Sequence, residues 1–142
     1  MRIDDLKTWL LGAGNLASFV SAQSTGPIPL TAFADATIIL RDWVEPTQEK
    51  ILFLDPQPDA REFLTTLSDE VIETIDAYII VTRGGTKAVM ADQSQNYLAA
   101  LRACLKTHPD FYAMEEREYY NGYEGKDDMK GARAKLIFRY EE

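Results

Sequence analysis

From Ala132 to Tyr140 the chain alternates residue by residue. Ala134, Leu136, Phe138 and Tyr140 share one side, and Arg133, Lys135, Ile137 and Arg139 share the other. Successive side chains of a strand point to opposite faces, so this segment is a strand with one buried and one wet face. Such a strand fits an antiparallel sheet covered on one side better than a parallel sheet buried on both. The cover is visible upstream. Tyr97, Leu98, Leu101, Cys104 and Leu105 recur at i, i+1, i+4, i+7 and i+8, the apolar face of a helix. That helix is predicted from about Lys87 to about Lys106, ending before His108-Pro109.

The remaining elements follow from shorter signals. Ile3, Leu6, Leu10 and Leu11 have helical spacing, Asp4 and Asp5 suit the first turn, and Gly12 and Gly14 close a short helix over 3–11. Residues 12–37 are mostly turn and loop chemistry, within which Leu16–Val20 fits either a strand or a short helix. Thr37–Val44 and Lys50–Leu54 read as two strands of a β-hairpin around the polar turn at 45–50. Ala60–Thr74 carries both a helical stripe (Phe63, Leu67, Val71) and a β-branched run, and the β-branched residues favour strand. Asp76–Thr82, through Tyr78-Ile-Ile-Val-Thr, is a buried strand, and Phe111–Tyr120 is a strand with charges on both faces. Asn121–Gly131, with three glycines and mixed charge, reads as a loop. Strands and helices do not alternate as βαβ units. The expected fold is therefore α+β: a mostly antiparallel sheet with one long helix and a short N-terminal helix packed on it, in a single domain over 1–142.

Composition excludes several classes of function. A chain of 142 residues with 15 Lys+Arg and 23 Asp+Glu carries a formal charge of −8, the wrong sign for a generic nucleic-acid or anionic-membrane binder. Its single cysteine, Cys104, rules out an intrachain disulfide framework and a Cys-rich zinc site, and its place on the apolar helix face makes it buried and unreactive. The first residues lack the charge and apolar core of a targeting signal, and no run approaches a membrane span, which points to synthesis in a cytoplasm.

Candidate chemistry is sparse. Arg83-Gly84-Gly85-Thr86-Lys87 joins a strand to a helix and could cradle a phosphate, but the full phosphate-loop spacing is absent. Two glycines turning the chain with Thr86 as cap is the simpler reading. Glu115 and Glu116, adjacent on a strand, are expected on opposite faces and unable to share a metal. Asp127 and Asp128 sit among Lys126 and Lys130 as a solvated loop, and His108 suits a helix end where the dipole favours its charged form. No cofactor or metal is expected. Six of the seven tyrosines follow residue 96, and Tyr119, Tyr120 and Tyr123 border the glycine loop, where an interaction surface competes with plain sheet packing.

The run from Tyr78 to Tyr140 (strand, polar turn to Lys87, long helix to Lys106, charged strand, Gly-rich loop, terminal strand), with the short first helix and mid-chain hairpin, resembles the tail-terminator or tail-completion proteins of long-tailed bacteriophages and prophages. The resemblance implies structural rather than catalytic work. Such a protein forms a ring of six subunits at the head-proximal end of the tail tube, halts tube growth and meets the head's connector. Its partners would be itself, the tail tube protein and the head-completion protein, and its place the virion tail. On that reading Tyr119, Tyr120 and Tyr123, with Glu124, Asp127 and Asp128 against Lys126, Lys130 and Arg133, are the candidate contacts between subunits. The alternatives are another neck or baseplate component, or a small phosphate-binding hydrolase using Arg83, Lys87 and the Asp127-Asp128 pair.

Overall fold

A computed structural model of the chain describes residues 3–24, 29–40, 50–57, 60–63, 69–81, 87–120 and 130–141. The elements, in chain order, are α1 (Ile3–Leu11), α2 (Leu16–Ala22), a single 3-10 turn at Asp35–Thr37, β1 (Ile38–Leu40), β2 (Lys50–Pro56), β3 (Ala60–Phe63), β4 (Asp69–Val81), α3 (Lys87–Leu105), β5 (Phe111–Tyr120) and β6 (Lys130–Glu141). The expected α+β fold is present, with α3 and α1 on a mixed, mostly antiparallel sheet. Leu16–Val20 is helical, and the ambiguous 60–74 segment supplies β3 and the start of β4.

The strand order is β1-β2-β4-β6-β5. Central β4 pairs β6 antiparallel from Glu70↔Glu141 to Val81↔Lys130. Its other side takes β2 and, further along, β3, both antiparallel. The expected hairpin between β1 and β2 is not formed. They pair in parallel, Ile38↔Leu52, Ile39↔Phe53 and Leu40↔Leu54. The apolar alternation of three residues settles which face they show and leaves strand direction to tertiary pairing. Residues 41–49, which include the expected turn, lie outside the described residues.

One hydrophobic cluster fills the space between sheet and helices. It joins Leu6 and Leu10 of α1, Leu98, Leu101, Cys104 and Leu105 of α3, Leu52 and Leu54 of β2, Ile75, Ala77 and Ile79 of β4, and Leu136 and Phe138 of β6. The predicted α3 face is buried as read, and full burial of a leucine such as Leu101 contributes about 1.5–3 kcal/mol. Tyr97, also buried, accepts the Thr31 N–H on its hydroxyl at 3.0 Å, so its polar end is satisfied. Gly14 is needed where the chain leaves α1: a Cβ there would come within 2.7 Å of the Trp9 ring. Asn15 follows in the left-handed region (φ 50°), which asparagine tolerates, and α2 starts one residue later.

Cys104 is buried, its Sγ–H donates to the Gly14 carbonyl at 3.3 Å, and burial pushes its thiol up to about 11. His108 differs from expectation. It is wedged between the Trp9 ring (centroids 4.7 Å apart) and the Phe138 ring (5.4 Å), and burial lowers its pKa below 6.5, with Asp110 opposing. Desolvation outweighs the helix dipole because two aromatic rings replace water around the imidazole. Its Nδ1 also accepts the Asp110 N–H at 3.0 Å, a bond that protonation would break.

Candidate assembly surface

β5 is an outer strand of the sheet, with β6 on one side. Edge strands invite pairing with other chains unless charge or a bulge spoils the edge. β5 carries both devices. Residues 115–118 (Glu-Glu-Arg-Glu) are exposed. The register steps from Glu115↔Lys135 to Glu118↔Arg133, so Glu116 and Arg117 both lie opposite Ala134, and Glu116 sits at φ 51°. The bulge and the charges disfavour an added strand at this edge.

The bulge also resets which residues face where. Before it, Met114 pairs with Leu136 on the helix side. After it, Tyr119 pairs with Ala132 on that same side, an odd residue where alternation from Met114 would place an even one. Arg117 and Tyr119 thus join Met114 against α3, where Gln95, Ala99 and Arg102 make a stripe at i, i+4 and i+7. Together they line a cleft of about 50 Å³. Arg102 and Arg117 are both exposed. Nothing in the residue spacing points to these two arginines, because they become neighbours only through the bulge.

The opposite face of the sheet holds a small apolar cluster, Ile51 and Ile80 with Ile39, and beside it a polar, internally paired stretch. Phe53, Tyr78, Arg133 and Glu118 form one row across four strands. Arg133 Nη2 donates to Asp76 Oδ2 at 3.1 Å, Nη1 lies 3.8 Å from Glu118, and its guanidinium stands 5.5 Å from the Tyr78 ring centroid. Burial raises the Tyr78 pKa; Arg133 opposes this, while Asp76 and Asp55 add to it. Lys135 pairs with Glu116 at 3.2 Å, and Arg139 lies 4.7 Å from the Tyr112 ring centroid. On the helix side of the sheet, beyond Phe138, Tyr140 donates its hydroxyl proton to Glu73. The expectation that Glu115 and Glu116 diverge is corrected here. Glu115 lies opposite Lys135 in register and Glu116 pairs with the same lysine, because the bulge breaks the alternation.

The predicted contact residues separate into groups. Tyr119 is 52% exposed at the cleft, and Tyr120 ends β5 opposite Gly131. Lys130 and Gly131 are not loop: they open β6, where Lys130 is buried opposite Val81. Arg133 sits on the outer face with its ion pairs made within the chain, on the side of the sheet away from Tyr119. Tyr123, Glu124, Lys126, Asp127 and Asp128 lie outside the described residues, as does Arg83 with 84–86; Lys87 is the first residue of α3. Among the described residues no group of three or more His, Cys, Asp or Glu is placed to hold a metal ion. None of the described helices is long and apolar enough to cross a membrane.

No protein-family model matches the chain, and no curated protein matches it. Among solved structures, a chain of the virion of a native gene transfer agent particle superposes with a TM-score of 0.54 at 12% identity. The match spans 96% of this chain and 91% of that one, so the two share a fold along nearly their whole lengths.

Proposed function

We propose that this chain is a structural component of a phage-like virion tail. In this reading it acts as a tail terminator: copies close into a ring of six at the head-proximal end of the tail tube, stop tube growth and offer a surface to the head's connector. The observation that carries the reading is the near full-length likeness in fold to a chain of a gene transfer agent virion. The resemblance of the sequence pattern to tail-terminator proteins supports it independently. The exposed Tyr119 and the charged, bulged edge of β5 suit side-chain contacts between subunits.

The experiment is sedimentation and native mass measurement at micromolar concentration, then electron microscopy of tail tubes assembled with and without the protein. A six-subunit ring and tubes of uniform length are expected; a monomer at all concentrations and unchanged tubes would reject the reading. Deleting residues 124–129 tests the tyrosine-flanked segment within it. Lys130 is kept because it is buried in β6 opposite Val81. The deletion variant is expected to fold and remain monomeric.

A further inference from the structure

In an acidic chain, the exposed arginines Arg102 and Arg117 line one cleft between α3 and β5. Among the described residues neither guanidinium has a carboxylate partner, whereas Arg133 is tied to Asp76 and Glu118. Two like charges placed together without a counter-ion repel, so the cleft favours an incoming anion. At about 50 Å³ it is far below the roughly 300–1,000 Å³ of small-molecule sites, and it has room for the head of an acidic side chain. Gln95 and Tyr119 add polar groups beside the arginines, and Met114 supplies an apolar floor.

The opposite edge of the same sheet carries the complementary charge. β1 is the other outer strand, and Asp35 stands just before it with 89% of its side chain exposed. Lys7, which also donates to the Asp35 and Ile38 carbonyls, comes within 3.2 Å of it, yet the carboxylate stays open to solvent, where an ion pair contributes little. A head-to-tail ring joins one surface of each subunit to a different surface of the next. A basic cleft beside one edge of the sheet and an exposed carboxylate at the other meet that requirement. We propose that the Arg102–Arg117 cleft of one copy receives the Asp35 edge of the next copy. The inference rests on the ring reading above and names its subunit junction. Charge at the junction sets register and encounter, and salt screens it.

The test uses two charge-reversed full-length chains, Arg102→Glu/Arg117→Glu and Asp35→Arg, each checked for folding by circular dichroism. Alone, each is expected to assemble at least about tenfold less tightly than wild type in sedimentation, because its own two edges now repel. Mixed in equal amounts they are expected to assemble again, with the reversed cleft of one taking the reversed edge of the other. Assembly of the wild type is expected to weaken at 1 M salt. Variants that assemble like wild type, or a mixture that stays apart, would overturn the junction while leaving the ring intact. Should the glutamates disturb folding, Arg102→Gln/Arg117→Gln is the substitute, and unchanged assembly of that variant counts equally against the proposal. A wild-type chain that never assembles rejects the ring reading and the junction with it.

Discussion

Arg133 reaches across from β6 to Asp76 on β4, Nη2 to Oδ2 at 3.1 Å, and holds a carboxylate whose side chain is only 9% exposed. The other oxygen of that carboxylate, Oδ1, is buried and accepts no hydrogen bond. An arginine that looks like a surface charge on a half-wet strand is therefore the main counter-charge of a buried acid. Such pairs are costly to break from one side, because the remaining charge is left desolvated.

Replacing Arg133 with Ala is expected to destabilise the chain by roughly 3 kcal/mol, the lower end for a broken buried pair, since 27% of the Arg133 side chain stays in contact with solvent. Urea denaturation of Arg133→Ala, Asp76→Ala and the double variant checks it. The double variant should cost clearly less than the sum of the two. Simple additivity would mean that the two residues act independently.

Leu101, with none of its surface exposed, is the centre of the α3 face. Leu101→Ala is expected to cost on the order of 2–5 kcal/mol, the range for emptying a buried leucine site. A midpoint shift corresponding to less than about 1 kcal/mol would mean that the core closes over the gap or that α3 is seated differently.

Glu116 pays a conformational cost at φ 51°, a region that glycine enters freely. Comparing Glu116→Gly with Glu116→Ala removes the Lys135 ion pair in both and isolates the backbone. The glycine variant is expected to be the more stable by about 1 kcal/mol in thermal or urea melts. An alanine variant of equal or greater stability would place the bulge elsewhere.

His108 gives the stability a pH dependence of known sign. Its folded-state pKa lies below the ordinary 6.5, so the unfolded chain takes up the proton first. Its contribution is complete above about pH 6.5 and declines as the pH falls through 6.5 toward the lowered folded value. His108→Phe keeps a ring between Trp9 and Phe138 and lacks the titration. Between pH 7.5 and pH 5 the wild type is expected to lose stability relative to this variant in paired melts. NMR titration of the imidazole should show a midpoint below 6.5. A midpoint above 6.5 would mean that the helix dipole prevails after all.

What could be read from residue order alone were the features set by local periodicity. The apolar stripe from Tyr97 to Leu105 and the alternation from Ala132 to Tyr140 each define a face at short range, and the structure buries both. The α+β class followed from those two faces, since each needs the other as cover. Tertiary structure decided the direction of β1, because three apolar residues present the same faces whichever way the strand runs. It also decided the environment of His108, whose neighbours Trp9 and Phe138 are far from it in sequence. The cleft of Arg102 and Arg117 depends on a single extra residue in β5. That residue reverses the alternation after Glu116, and a period of two gives no sign of where such a residue falls.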